Sequence, residues 1–253
     1  MKCMKTINAF QFNASKSTPA VLHRTEMEII EFCNARFRSY YEKLSDVVLQ
    51  HAQQRGFSTI VELGAGCAPL TQRMVMDERS EGKKFVVCDL IPNEEAFRDL
   101  QQRFPQRVTA IYESVDFSQP RDWGDDTLLV LSAAFHHVPV EERAVVFQTL
   151  CKSAGGVMIF ATVRKTLWCM FSACFVLVPA FLVPLGLLNR PGRLRRFLWC
   201  WLLPAAPAIM LWDGVGGCLR HWERREWEEA IDVQSIGREL TIIETSNSQT
   251  VVC

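Results

Sequence analysis

VELGAGCAPLT, residues 61–71, decides the fold of this chain. A short β-prone apolar run (Thr59, Ile60, Val61, Leu63) ends in an acid and a glycine turn, and a helix-like segment opens at Pro69. Gly64 and Gly66 let the backbone turn sharply and approach a ligand with no Cβ in the way. Pro69 suits a first helical turn, where its missing N–H costs nothing. Strand, tight loop and helix N-terminus within a dozen residues form a place where an α/β protein holds a nucleotide-like ligand. The loop is no phosphate cradle. It carries no Lys or Arg, no GKS or GKT follows it, and Glu62 stands immediately before it, suited to a cationic group such as an amine.

Outward from the loop, short apolar runs alternate with amphipathic stretches. Strands are expected at 59–63, 84–89, 107–112, 127–132 and 156–163, with helices at 69–78, 94–103 and 140–153. Such alternation indicates a mainly parallel sheet covered on both faces. Upstream, residues 1–20 read as a loose leader without a continuous apolar signal region. Apolar residues at three- and four-residue spacing predict one helix over 25–55, ended by Gly56. The expected division is 1–56 as leader and helix, 57–165 as core, 166–212 as a hydrophobic hairpin, and 213–253 as a last helix and short strands completing the core.

Composition narrows the function classes. At 253 residues the chain can bury a full core. Lys+Arg and Asp+Glu are both 28, so no global charge favours nucleic acid. The ten cysteines are scattered with no CxxC pair or Cys/His cluster, so no metal site is expected, and buried thiols in a reducing compartment are the simpler reading.

Two further acids give the loop its chemistry. Asp89 closes the second strand 23 residues after Gly66 and can accept from both ribose hydroxyls of a nucleoside. Asp116 closes the third unit and can accept from an exocyclic adenine amine, with Phe117 beside the ring. In this order the motifs resemble the class I S-adenosylmethionine-dependent methyltransferases. VELGAGCAP matches the first motif, VVCDL the second, SVDF the third and LLVLSAAFHHVP the fourth, over residues 60–163. The resemblance implies a Rossmann-like α/β sheet with helices on both faces. It implies S-adenosylmethionine as cofactor, with Glu62, Gly64, Ala65 and Gly66 around its methionine part, Asp89 and Leu90 at the ribose, and Asp116 and Phe117 at the adenine. Asp89-Leu90-Ile91-Pro92-Asn93, Phe135-His136-His137 and Trp212-Asp213-Gly214 further resemble a group of bacterial methyltransferase-like proteins with a hydrophobic hairpin before the last helix. Ala68 departs from the commonest third glycine. A dinucleotide-dependent oxidoreductase is the competing reading; its loop would be G-x-G-x-x-G, and here it is G-A-G-C-A-P.

Sulfonium methyl transfer is an in-line displacement that needs alignment and exclusion of water. His136 and His137 follow the fourth strand, where a substrate meets the donor, and can take a proton near neutral pH. The alternative is that they pack and cap without proton transfer. Ser132 ends the same strand and can touch the donor's methionine end. Tyr40 and Tyr41 can close the site from the N-terminal helix.

Residues 166–188, TLWCMFSACFVLVPAFLVPLGLL, contain no charge, and twelve of the 23 are Leu, Val or Phe. Such a run favours membrane by roughly 4–7 kcal/mol before its prolines are counted. NRPGRLRR follows, and then a second uncharged run of 16 residues, 197–212. With both ends tied to a cytosolic core, a spanning hairpin would send Arg190, Arg193, Arg195 and Arg196 across, against the positive-inside preference. An interfacial hairpin leaves them among anionic headgroups; a two-pass hairpin and a soluble apolar lid are the alternatives. The reading is therefore a membrane-associated methyltransferase, its core facing the cytoplasm, acting on a small lipophilic substrate. A non-catalytic membrane scaffold and a protein or peptide methyltransferase are the other hypotheses.

Overall fold

A computed structural model describes residues 6–12, 15, 17–34, 38–161, 163–231, 237–244 and 248–253. The chain opens with helices α1 (Ala20–Asn34) and α2 (Arg38–Arg55). Next come β1 (Thr59–Leu63), α3 (Pro69–Met76), β2 (Lys84–Cys88), α4 (Glu94–Arg103), β3 (Val108–Ala110), β4 (Gly124–Ser132), α5 (Arg143–Ser153) and β5 (Ala154–Ala161). The apolar region forms α6 (Leu167–Ala173), α7 (Leu177–Gly186), α8 (Arg193–Phe197) and α9 (Ala205–Arg220). Helix α10 (Arg224–Ala230) and strands β6 (Thr241–Glu244) and β7 (Gln249–Val252) follow. The helix expected over 25–55 is described as α1 and α2, with residues 35–37 between them outside the described residues; the last helix expected within 213–253 is α10, and residues 213–220 belong to α9. Ser246 and Asn247, between the short strands expected at the end of the chain, lie outside the described residues.

These elements group into two compact units, Arg38–Thr162 with Trp222–Cys253, and Met1–Phe37 with Val163–His221. The first holds a sheet of seven described strands in the order β3-β2-β1-β4-β5-β7-β6. Strands β1 to β5 pair in parallel with one another, with Val61 opposite Val86 and Glu62 opposite Val130. Strand β7 enters antiparallel beside β5, Ile159 opposite Val251, and β6 pairs antiparallel with β7. Side chains alternate across the pleat. Ile60, Phe85, Val87, Leu128, Val130 and Phe160 pack on one face with Leu49 of α2, Leu70 and Met74 of α3, and Phe97 and Leu100 of α4. Val61, Leu63, Leu129, Leu131 and Ile159 pack on the other with Phe147 and Leu150 of α5 and Trp227 of α10. Each fully buried Leu, Ile or Phe contributes about 1.5–3 kcal/mol. A reciprocal cap between Glu223 and Glu226 starts α10, and the Trp227 indole donates to Gln249 Oε1 at 3.0 Å, fastening that helix to β7.

In the other unit, α1 packs along α7 and α9. Ile29 meets Ala180, Val183, Leu187 and Met210 there. The prolines act unequally. Pro204 stands at the start of α9, where the chain bends 67° between Arg193–Leu202 and Ala205–Arg220. Pro184 sits inside α7, and Leu167–Gly186 runs on as one helical stretch of 20 residues, with a 3₁₀ turn at Cys174–Val176. Trp212 and Asp213 bind the N-terminal strap. The indole of Trp212 donates to the Phe10 carbonyl at 2.7 Å, and the Phe12 amide donates to Asp213 Oδ1 at 2.9 Å.

Candidate functional site

The parallel strands β1, β2 and β4 end on the same edge of the sheet, and the loops that leave them interlock. Gly64 and Gly66 adopt left-handed backbone, at φ of 68° and 56°. Ala68, where the commonest glycine is missing, is left-handed too, at φ 52°. Among non-glycine residues this costs about 1–2 kcal/mol, so the departure is conserved in conformation and not in residue type. A Cβ on Gly64 would lie 2.7 Å from the Ala134 Cβ and 3.9 Å from the Phe117 ring. The glycine loop, the turn after β4 and the Asp116–Phe117 segment therefore meet at Gly64.

Asp89 ties this edge together. Its Oδ2 accepts from the Gly66 amide at 2.8 Å and its Oδ1 from the Ile91 amide at 2.9 Å. The Asp89 carbonyl accepts from the Val115 amide at 2.9 Å, and the Ser114 hydroxyl donates to the Leu90 carbonyl at 2.7 Å. Asn93 caps α4 by accepting from Ala96 N and donates to the Cys67 sulfur at 3.5 Å, a second tie to the glycine loop. Asp116 is exposed, and its Oδ1 accepts from the amide and hydroxyl of Ser118 at 2.9 and 2.6 Å, which presents the carboxylate in a fixed turn. The second Asp116 oxygen is not used in that turn, and each carboxylate oxygen can accept two hydrogen bonds.

Glu62 differs from its sequence expectation. It is buried, and its Oε2 accepts from the amide of Thr71 at 3.0 Å and the hydroxyl at 2.5 Å. This pins β1 to the first turn of α3. Burial pushes its carboxyl up to about 7, against the Thr71 hydrogen bonds and with help from nearby Asp89. No feature of the sequence marked Thr71 as its partner.

The remaining expected residues lie on the loop after β4 and beside it. Ser132 is hydrogen-bonded to Tyr40 of α2, whose phenol burial pushes up to about 12. Tyr41 packs edge-on against Tyr40, ring centroids 5.1 Å apart, and burial raises its phenol as well, followed by Tyr40, Glu62 and Cys67. The two tyrosines thus sit over the ends of β1 and β4. Ala133 is left-handed at φ 54°, and a 3₁₀ turn at Phe135–His137 follows. His136 and His137 are half-buried, their rings 4.2 Å apart. Phe135 turns into the core and stacks on Trp227 at 5.2 Å.

Sequence reading missed Arg143. Its guanidinium is 1% exposed, donates to the carbonyls of His136 at 2.9 Å and Val138 at 3.0 Å, and lies over the Trp222 ring at 5.6 Å. It clamps the backbone that carries both histidines. A lone arginine before an apolar helix gives no local signal of that. Among the described residues, no group of three or more His, Cys, Asp and Glu side chains is arranged to hold a metal.

The loop edge suits an uncharged or cationic nucleoside ligand better than a phosphate. Asp89 and Asp116 lie on it, and the loop itself carries no Lys or Arg. The sheet order also separates it from a dinucleotide-binding sheet of order 3-2-1-4-5-6, since β7 is inserted antiparallel between β5 and β6.

No family model and no curated protein matches the sequence. Solved structures match over most of the chain. An O-methyltransferase-like protein of Nostoc punctiforme PCC 73102 superposes with a TM-score of 0.56 at 14% identity, covering 98% of this chain and 64% of that one. Human N-acetylserotonin methyltransferase in complex with S-adenosylmethionine gives 0.53 at 16% identity, with coverage of 97% and 62%. An O-methyltransferase family protein from Burkholderia thailandensis gives 0.51 at 14%, with 87% and 58%. The chain spans about three-fifths of the length of these three structures. At such identity the likeness is one of fold, and it agrees with the strand order and the loop edge described above: the chain has the fold of the class I S-adenosylmethionine-dependent methyltransferases.

Proposed function

We propose that this protein is an S-adenosylmethionine-dependent methyltransferase that works at a membrane, its core facing the cytoplasm, on a small lipophilic molecule. The observation that carries the reading is the convergence of the left-handed Gly64–Gly66 loop, Asp89 and Asp116 on one edge of a 3-2-1-4-5-7-6 sheet. The residues present fit the cofactor. Gly64 lets the turn after β4 approach the loop, because a Cβ there would meet Ala134, and the Asp89 carboxylate orders the loop through the Gly66 amide. Ala65 and Gly66 would lie along the methionine part with Glu62 beneath, Leu90 beside the ribose, and Asp116 and Phe117 at the adenine. S-adenosylmethionine supplies a methyl group activated by a positive sulfur.

The chain's own part is binding, alignment and proton handling. Asp89 and Asp116 would hold the nucleoside, with Ser132 and the turn after β4 on the same edge of the sheet. Tyr40 and Tyr41 exclude water above the loop. An imidazole nitrogen of His136 or His137 would take the proton from a substrate hydroxyl or amine. Arg143 holds the histidine backbone in register. The membrane part of the reading is supported by one helical stretch, Leu167–Gly186, long and apolar enough to cross a bilayer. The lipophilic substrate class follows from that location.

Equilibrium binding of radiolabelled S-adenosylmethionine to the purified chain tests the cofactor. Saturable binding is expected, with Asp89→Ala weakening it by a hundredfold or more. Asp116→Ala should weaken binding about tenfold while changing thermal stability little, because its carboxylate is exposed and bonded only locally. A folded preparation without saturable binding overturns the proposal. Metabolite profiling with and without the gene, scanned for the mass difference of one added methylene, then identifies the substrate.

A further inference from the structure

We infer that the outer line of α6 and α7 is a docking face for one leaflet of an anionic membrane, entered sideways and not crossed. It rests on the membrane half of the reading above and stands apart from the methyl-transfer half. Trp168, Phe171, Phe175, Val178, Leu182 and Leu185 recur at alternating three- and four-residue steps, which places them on one side of a continuous helical stretch. All six are exposed, from 46% for Leu185 to 64% for Trp168. Scattered exposed hydrophobics are ordinary; a file of six large ones along about 30 Å of helix is not. The opposite side is covered, since Ala180, Val183 and Leu187 are buried against α1 and α9.

What covers that side excludes a spanning arrangement. Helix α1 runs along α7 and α9 and carries His23, Arg24, Glu26, Glu28 and Glu31, of which Arg24 and Glu31 are exposed. Crossing the bilayer would carry this charged helix into hydrocarbon. Glu28 holds it in place by pairing with Arg195 and, at 3.0 Å, with Arg196. Arg196 is buried and also donates to the carbonyls of Leu187, Arg190 and Pro191, closing the turn between the apolar segments. Two of the four arginines are therefore internal fasteners. Arg190 and Arg193 are exposed beside the end of the apolar file and supply the charge complementary to anionic headgroups. Trp168 and Trp201, 64% and 44% exposed, have the amphipathic rings that settle at that depth.

The test adds purified full-length chain to preformed vesicles and measures flotation. Binding to phosphatidylcholine–phosphatidylserine vesicles is expected. The triple substitution Phe171→Ser, Phe175→Ser, Leu182→Ser should weaken it at least tenfold. Arg190→Gln with Arg193→Gln should weaken binding to the anionic vesicles only, leaving pure phosphatidylcholine unchanged. With protein bound from outside, an Arg193→Cys variant should react at that position with a membrane-impermeant maleimide, read by peptide mass spectrometry. Protection of position 193 means a crossing hairpin and overturns the inference. So does unchanged flotation of the triple variant, or a dimer that the triple variant dissociates in the absence of vesicle binding. S-adenosylmethionine binding measured on the same variants reports whether the sheet unit is intact, so loss of docking and failure of the methyltransferase reading give different results.

Discussion

Gly64→Ala is the most demanding perturbation of the loop edge, because the structure separates its two costs. The residue sits at φ 68°, where an alanine costs about 1–2 kcal/mol. The new Cβ would also lie 2.7 Å from the Ala134 Cβ, on a left-handed turn that has no flexible side chain to swing away. Relieving that overlap by moving backbone costs roughly 1–3 kcal/mol. The sum, about 2–5 kcal/mol, corresponds to a melting temperature lowered by about 10 °C for a chain of this size. Gly56→Ala is the control. Its φ is 76° and nothing lies within 4 Å of its would-be Cβ, so only the backbone cost applies and the loss should stay at about 5 °C. Both variants are compared with the parent by circular dichroism melting under identical conditions. Equal losses at the two positions would refute the close approach of Ala134 to the loop. A Gly64→Ala variant that melts with the parent and binds S-adenosylmethionine as tightly would refute the cradle as well.

Two other outcomes follow from buried polar groups. Glu62 has a folded-state pKa of about 7 against an ordinary 4.5, so the folded chain holds a proton that the unfolded chain gives up. The stability contributed by this group is present at low pH and falls as pH rises from about 4.5 to about 7, by up to ~3 kcal/mol. Glu62→Gln should therefore melt higher than the parent at pH 8 and converge with it toward pH 5. Glu26, pushed up to about 8 by burial and then by Asp213, is present in both proteins and cancels. A melting difference independent of pH would show that Glu62 is not desolvated. Arg143→Met removes the donors to the carbonyls of His136, part-buried, and Val138, buried, and at about 1–3 kcal/mol for each lost bond should cost roughly 2–6 kcal/mol in chemical denaturation. Arg143→Lys should recover part of that loss; a variant as stable as the parent would remove the clamp.

The parts of this molecule that were legible in sequence are those set by neighbours in the chain. The five parallel strands appeared within a few residues of their expected bounds, and α4 matched its expected bounds. Alternation and helical spacing record which face of an element is apolar, and each face was buried as its pattern required. Gly64, Gly66 and Pro69 marked the loop because backbone conformation is a local property. The length and apolarity of 166–188 were equally plain.

Partners distant in sequence were decided by tertiary structure alone. Apolar periodicity says that a surface is covered, not by what. Thus α1, read as part of the methyltransferase's N-terminal helix, lies against the apolar helices, and its Glu28 takes two arginines that sequence assigned to lipid headgroups. Glu62, expected to face a cationic ligand, is satisfied by Thr71 because burial leaves a carboxylate no choice but the nearest donors. The order of β7 between β5 and β6 was likewise beyond sequence, because strand pairing is chosen among edges that all have the same hydrogen-bonding groups. The sequence determined that there would be a glycine loop after the first strand and a long apolar surface; packing decided which acids stay accessible on that edge and which side of the apolar helix is left uncovered.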